Sequence, residues 1–258
     1  MGNWLQMEVL INSNMTKLVY LLIFPLFLYS CDSNGLFDGG ETQTKEVVIK
    51  NAFSRIETNS IFDITLINDT TNKVRITCGE NLQKFVKIEE KEGIVYISHS
   101  VKYAWSRKYE KIKLELHVNQ DLILYAYEPL HFTTIGTFKA NSFQFVDWGK
   151  FCEVDVTVNS GYCGIIMGAD SFGAYNVKGN CVSCEIWAGG SSKVQADSLI
   201  SEECYVRQRG WGDVYVHVLK QLKIKFECTS TIYYKGTPSE ITVDDHLSAG
   251  KVIQLENN

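Results

Sequence analysis

The chain has 258 residues, a formal net charge of −5, 45% hydrophobic residues and 21% charged residues. That composition belongs to a folded chain, and the acidic balance, with no sustained basic block, excludes a nucleic acid or anionic membrane held by charge. Three prolines stand against nineteen glycines, and Tyr, Phe, Val, Ile and Thr are plentiful, which favours strands.

In chain order, the first feature is the apolar run Leu18 to Ser30, which ends at Cys31. It is too short to span a bilayer comfortably but suits the apolar region of a signal peptide, with Lys17 supplying the positive charge before it. Met15 reads as the natural start, which makes residues 1–14 an upstream mis-start or extension and residues 1–30 the signal peptide. Leu28-Tyr29-Ser30-Cys31 resembles a bacterial lipobox: an apolar, a variable and a small residue before a cysteine. In such signals the cysteine is acylated and becomes the first mature residue, so Cys31 is the expected lipidation site. Two or more acyl chains hold a protein stably on a membrane. Residues 31–44 are polar and Gly-rich and read as a flexible tether. Once the front end is removed, roughly 227 residues remain, enough to bury a sizeable core.

Residues 45–120 form an N-terminal β-rich half. Runs such as Phe62-Asp63-Ile64-Thr65-Leu66, Val74-Arg75-Ile76-Thr77-Cys78 and Ile94-Val95-Tyr96-Ile97-Ser98 alternate with period two, and each is punctuated by polar residues or Gly. Residues 68–73 and Glu90 to Gly93 have the composition of hairpin loops. One short helical turn is expected over residues 81–85. Residues 121–258 carry a loose repeat. Ala140-Asn141-Ser142-Phe143, Ala169-Asp170-Ser171-Phe172 and Ala196-Asp197-Ser198-Leu199 share one pattern, and Leu219-Lys220-Gln221-Leu222 is a degraded fourth copy. Their third positions are 29, 27 and 23 residues apart. Strands and Gly turns at such a period point to an all-β, right-handed β-helix or β-solenoid: a stack of irregular coils, each covering the apolar row of the next, with the N-terminal strand-rich part continuous with it. A β-sandwich also produces short strands at close spacing, but the recurring tetrad favours the solenoid.

The chain resembles the auto-transporter adhesin head GIN family of bacterial lipoproteins. Phe53-Ser54-Arg55-Ile56, Cys78-Gly79-Glu80-Asn81-Leu82, the tetrad series and the closing Tyr233-Tyr234-Lys235-Gly236-Thr237-Pro238 carry that resemblance across nearly all of residues 47–255. It departs from the family's Ser-Gly-Ser-Gly turns, with Trp148-Gly149, Gly161-Tyr162 and Gly210-Trp211-Gly212 placing bulky aromatics there. The resemblance implies a β-helical lipoprotein of a Gram-negative outer membrane, facing either the periplasm or the exterior. It implies no chemistry, so no catalytic residue is assigned.

Nothing in the chain proposes catalysis or a cofactor. There is no HExxH, no GxSxG and no phosphate-cradling loop. Seven cysteines follow Cys31, and the odd number favours buried free thiols over a disulfide framework. Cys181-Val182-Ser183-Cys184 is a lone CxxC, whose ends would point to opposite faces of a straight strand, so no metal site is expected. Two groups are candidate contact residues. Trp148, Tyr162, Trp187 and Trp211 fall at or near the coil turns, where flat aromatic faces suit sugar rings or simply cover the solenoid. Tyr103, Trp105, Arg107 and Lys108 form a basic, aromatic insertion that either meets a partner or folds back as a solvated loop. The expected function is a non-enzymatic binding or scaffold module for a glycan or protein. The competing readings are a structural envelope component and, behind it, a β-helical polysaccharide-active enzyme.

Overall fold

The computed structural model of the chain describes residues 39–101, 111–245 and 250–256. They form one 17-stranded sheet with a single turn of helix, wound into a β-solenoid of about 6 turns. No helix among the described residues is long and apolar enough to cross a membrane.

The regular part of the solenoid is built from four long strands: β10 (Phe138–Asp147), β11 (Glu153–Met167), β12 (Ala174–Ala188) and β13 (Lys193–Gln208). They continue into β14 (Val214–Phe226). Each pairs in parallel with the next. Every long strand runs along one face of the solenoid, bends at a corner near its middle, and continues along a second face. Alternation of side chains decides which rows are buried. On the first face Phe145, Ile165, Ile186, Val206 and Ile224 lie in register, one above another, and all are buried. On the second face Val154, Tyr175, Val194 and Val214 do the same. Each such side chain contributes about 1.5–3 kcal/mol when removed from water, and no coil could bury its row without neighbours on both sides.

The register also corrects the repeat inferred from the tetrads. Stacked positions such as Phe143, Cys163, Cys184 and Cys204 recur at about twenty residues, one coil each. The tetrads therefore fall at different places around the coil. Phe143 and Leu199 are inward and buried, whereas Phe172 lies in an exposed turn. The true repeat is the inward row, and its members differ too much in size and chemistry to look alike as letters.

The N-terminal strands join the same stack out of sequence order. They are β1 (Thr42–Val48), β2 (Arg55–Thr58), β3 (Phe62–Asn68), β4 (Lys73–Gly79), β5 (Val86–Lys91), β6 (Ile94–His99) and β7 (Lys113–Val118). The helical turn α1 (Glu80–Gln83) lies between β4 and β5. The next coil is β8 (Leu122–Ala126) and β9 (Leu130–Thr134). β2 is flanked by β6 on one side and β8 on the other, and β3 by β7 and β9. The coil made first in the chain is thus enclosed between two made later, and the link from β7 to β8 passes over it. β8 and β9 then pair with β10 and β11, so the core runs unbroken through both halves.

The amino-terminal end of the stack is closed by antiparallel strands, β5 on β6 and β4 on β7, with β1 on β4. The β5–β6 turn is a two-residue hairpin in which Glu92 and Gly93 both have positive φ, 53° and 74°, the backbone form that matches strand twist. Residues 68–73 do not make the hairpin that their composition suggests. β3 and β4 are separated by β7, which pairs with both, so the loop carries the chain across an intervening strand. The last strands are β15 (Ser230–Lys235), β16 (Glu240–Asp244) and β17 (Gly250–Gln254). There the inward row of the first face ends in Val243, which is exposed.

Candidate functional site

The turns that follow the first face stack along one edge of the solenoid. Backbone hydrogen bonds tie each to the one before: Trp148 N–H donates to the Ala126 carbonyl (2.8 Å), Gly168 N–H to that of Asp147 (2.9 Å), Ser191 N–H to that of Ser171 (2.9 Å) and Trp211 N–H to that of Gly190 (2.6 Å). Glycine makes this spacing possible. A Cβ on Gly189 or Gly212 would lie well inside contact distance of the carbonyl oxygen of Gly168 or Ser192, on the turn below.

Four large apolar side chains stand outward on this glycine floor: Trp148 (47% exposed), Phe151 (60%), Phe172 (55%) and Trp211 (71%). Phe151 and Phe172, from successive turns, stack with ring centroids 5.5 Å apart and planes 16° from parallel. The turn between Phe172 and Trp211 is Gly189-Gly190-Ser191-Ser192, with no bulky side chain. At about 4.8 Å per coil, the Phe172 and Trp211 turns are about 10 Å apart across that small-residue rung.

Two buried polar residues hold these turns in shape. Both occupy the last inward position of the first face, in a column otherwise filled by Thr58, Ala126, Met167, Ala188 and Phe226. Asp147 is fully buried, and its Oδ1 accepts from Gly149 N–H (2.6 Å), Lys150 N–H (3.1 Å) and the Cys152 thiol (3.2 Å). Its Oδ2 accepts from the Ser171 hydroxyl (3.1 Å) and the Tyr175 hydroxyl. One carboxylate therefore fixes the turn bearing Trp148 and Phe151 and links it to the turn bearing Phe172. Burial and the adjacent Asp147 carboxylate push the Cys152 thiol and the Tyr175 phenol far above their ordinary values, so both stay protonated as donors. Three coils on, Gln208 is also fully buried and donates from Nε2 to the carbonyls of Gly210 and Gly212, each at 2.8 Å. That amide holds the turn bearing Trp211.

The four aromatics picked out in the sequence thus separate into two pairs. Trp148 and Trp211 are on the turn edge. Tyr162 and Trp187 are on the outer surface of the first face, joined to each other through Glu185: the Tyr162 hydroxyl donates to Oε2 and the Trp187 Nε1–H to Oε1, both at 2.7 Å. Arg207 stacks over the Trp187 ring at 5.0 Å and pairs with Glu227 at 2.8 Å. Burial, then the Glu185 carboxylate, raises the Tyr162 phenol. These two aromatics are engaged within the protein, whereas the turn-edge aromatics face solvent. Phe151 and Phe172 were not singled out from sequence. A hydrophobic residue within two positions of a turn glycine, Gly149 for Phe151 and Gly173 for Phe172, was the available signal. Asp147 and Gln208 read as ordinary polar ends of strands. Cys31 and the insertion with Tyr103, Trp105, Arg107 and Lys108 lie outside the described residues.

Among the described residues no group of three or more His, Cys, Asp or Glu is placed to hold a metal ion. Cys163, Cys184 and Cys204 stack in register as buried free thiols, with Cys181 beside them. Cys181 and Cys184 both point inward, contrary to the straight-strand expectation, because β12 turns its corner between them.

Fold and edge together define a class: a parallel β-solenoid that presents a fixed, solvent-facing row of aromatic turns and no assembled catalytic or metal centre among its described residues. The family described as "Putative auto-transporter adhesin, head GIN domain" matches residues 52–238, and the chain belongs to it. Three solved structures share the fold. A putative adhesin from Bacteroides fragilis NCTC 9343 superposes with a TM-score of 0.71 at 13% identity, covering 83% of this chain and 97% of that one. One from Parabacteroides distasonis ATCC 8503 gives 0.60 at 17% identity, covering 84% and 98%. One from Parabacteroides merdae ATCC 43184 gives 0.57 at 16% identity, covering 84% and 97%. No curated protein matches the sequence.

Proposed function

We propose that the chain is a non-enzymatic cell-envelope lipoprotein whose solenoid head is a binding module, and that the aromatic turn edge is its contact surface for a glycan or protein. One observation carries the reading: Trp148, Phe151, Phe172 and Trp211 are exposed on turns that buried Asp147 and Gln208 hold in place. Exposed aromatics on a mobile loop would lose entropy on binding. Aromatics fixed beforehand lose less, and they offer large contact area. Membership of the adhesin head family supports the same role. The lipobox-like Leu28 to Cys31 supports acylation of Cys31, with the outer membrane as the anchoring surface. The tether in this reading ends before Thr42, because residues 42–44, expected from composition to belong to it, pair with β4 as the start of β1. The insertion containing Tyr103, Trp105, Arg107 and Lys108 is a second contact element in this reading.

The test compares the parent chain with a Trp148→Ala/Trp211→Ala variant for adhesion of expressing cells to glycan- and protein-coated surfaces. Both side chains are solvent-facing, so the variant keeps its fold. Loss of adhesion with unchanged surface display supports the edge. Undiminished adhesion rejects it. Protease shaving of intact cells reports whether the head faces outward.

A further inference from the structure

On the corner opposite the aromatic edge, the solenoid has a cleft of about 940 Å³. It arises from the inverted strand order. In regular coils the chain rounds this corner as continuous strand, as β11 does through residues 158–162. Between β7 and β8 it must instead climb past the β2–β3 coil, so residues 119–121 leave the ladder as a loop. The corner that would be closed by stacked backbone is left open between that loop and the bend of β10.

The cleft is lined chiefly by Asn119, Gln120, Asp121, Lys139, Asn141 and Asn159. Part of this set fixes the walls. Asp121 Oδ1 accepts from the backbone N–H groups of Asn141 (2.8 Å) and Ser142 (3.0 Å). Asn68 holds Lys139 in both directions, accepting from its N–H at 2.6 Å and donating to its carbonyl at 3.2 Å. Gln120 donates to the Phe53 carbonyl and accepts from Asn72 Nδ2 at 3.3 Å. The side chains of Asn141, Asn159 and Lys139 have no hydrogen-bond or ion-pair partner among the described residues and are left for a ligand. Ile123 and Ala140 add a small apolar floor.

We propose that this cleft binds a neutral saccharide, with the Asn141 and Asn159 amides as its main specificity contacts. Each amide offers a donor and an acceptor in a fixed plane, which suits paired hydroxyls. The Lys139 ammonium and the Asp121 carboxylate balance in charge, so the cleft favours neither an anionic nor a cationic ligand. The apolar floor matches the CH face of a sugar ring. The volume lies within the range of small-ligand sites. This inference rests on the binding role proposed above and names a ligand class and a site for it, on residues separate from the aromatic edge.

The experiment screens the full chain, in detergent micelles, on an array of defined neutral and acidic oligosaccharides. It compares the parent with Asn141→Ala/Asn159→Ala and with Trp148→Ala/Trp211→Ala. The expected result is that the parent binds one or more neutral glycans. The amide variant should then bind them about tenfold or more weakly, the loss from two hydrogen bonds. Equal thermal midpoints for parent and amide variant establish that folding is unchanged. A parent that binds only acidic glycans, or none, overturns the cleft proposal, as does an amide variant that binds like the parent. Glycan binding lost only in the Trp variant removes the cleft and leaves the aromatic edge standing. Adhesion of cells to protein surfaces without any array binding removes the saccharide and leaves the binding head.

Discussion

Asp147→Ala gives the sharpest test of how the aromatic edge is built. The carboxylate is fully buried and accepts hydrogen bonds from two backbone N–H groups, two hydroxyls and a thiol. Ser171 and Tyr175 also bond each other at 2.9 Å, so part of that pair survives the loss. The N–H groups of Gly149 and Lys150 have no such alternative. The Gly149 N–H is buried and its loss of a partner costs about 1–3 kcal/mol, at the strong end of that range because the acceptor is charged; the Lys150 bond is only part-buried and its loss costs less. Removing the carboxylate also returns its own desolvation cost, which offsets part of the loss. The net expectation is about 3–5 kcal/mol of destabilisation. For a domain of this size that is roughly a 6–20 °C fall in thermal midpoint. Asp147→Asn keeps one acceptor oxygen and should fall between parent and alanine variant. Thermal unfolding followed by circular dichroism reads both. If Asp147→Ala shifts the midpoint by less than about 2 °C, the turn does not depend on this carboxylate and the account of a fixed edge fails.

Other consequences follow from the same geometry. Phe145→Ala removes a fully buried ring stacked 5.4 Å from Phe132 and should cost about 3–5 kcal/mol in denaturant unfolding. Gly212→Ala should be at least as damaging, because the added methyl collides with the Ser192 carbonyl and backbone cannot yield as a side chain can. A fully stable Gly212→Ala would show that the turns are less tightly stacked than described. Asp69 is held at about 2 by the Thr70 N–H first, then by the His117 ring at 2.7 Å and by Lys73. Its folded value lies below its ordinary one, so its support is present above about pH 4 and disappears as pH falls towards about 2. Asp69→Asn should therefore flatten the loss of thermal midpoint over that window, and an unchanged slope would remove Asp69 from the acid response. Cys31→Ser should block incorporation of labelled palmitate and release the chain from the membrane fraction. Membrane retention without label would point to a different anchor.

The solenoid was legible in the sequence because burial imposes a pattern that letters can carry. Period-two runs such as Val154-Asp155-Val156-Thr157-Val158 became strands with alternate residues buried. The repeat length was not legible. Its stacked members, Phe143, Cys163, Cys184 and Cys204, share only burial, while the conspicuous tetrads sit at unrelated positions of the coil. Strand order was hidden for a different reason. β2 pairs with β6 and β8, both later in the chain, and its four residues look no different from those of a strand paired with its sequence neighbours.

The site was half legible on the same logic. Trp148 and Trp211 could be placed at turns because glycine flanks them, and there they are. Tyr162 and Trp187 look similar as letters, yet Glu185, one coil above the first and two residues before the second, engages both. Whether an aromatic faces solvent or a neighbour depends on the residue one coil away, about twenty positions distant, and that distance cannot be read before the register is known. Asp147 and Gln208 carry the argument furthest. A polar residue at the end of an apolar row reads as the point where a strand leaves the core, yet both side chains stay inside and use the exit of the backbone as their partner. In a stacked fold, the turn beside a row end supplies unpaired N–H and C=O groups that offset the cost of burying a polar group there; they satisfy the Asp147 carboxylate and the Gln208 Nε2, while Gln208 Oε1 has no partner among the described residues. Such positions are where this solenoid controls the shape of its exposed edge, and the binding role proposed for that edge depends on that control.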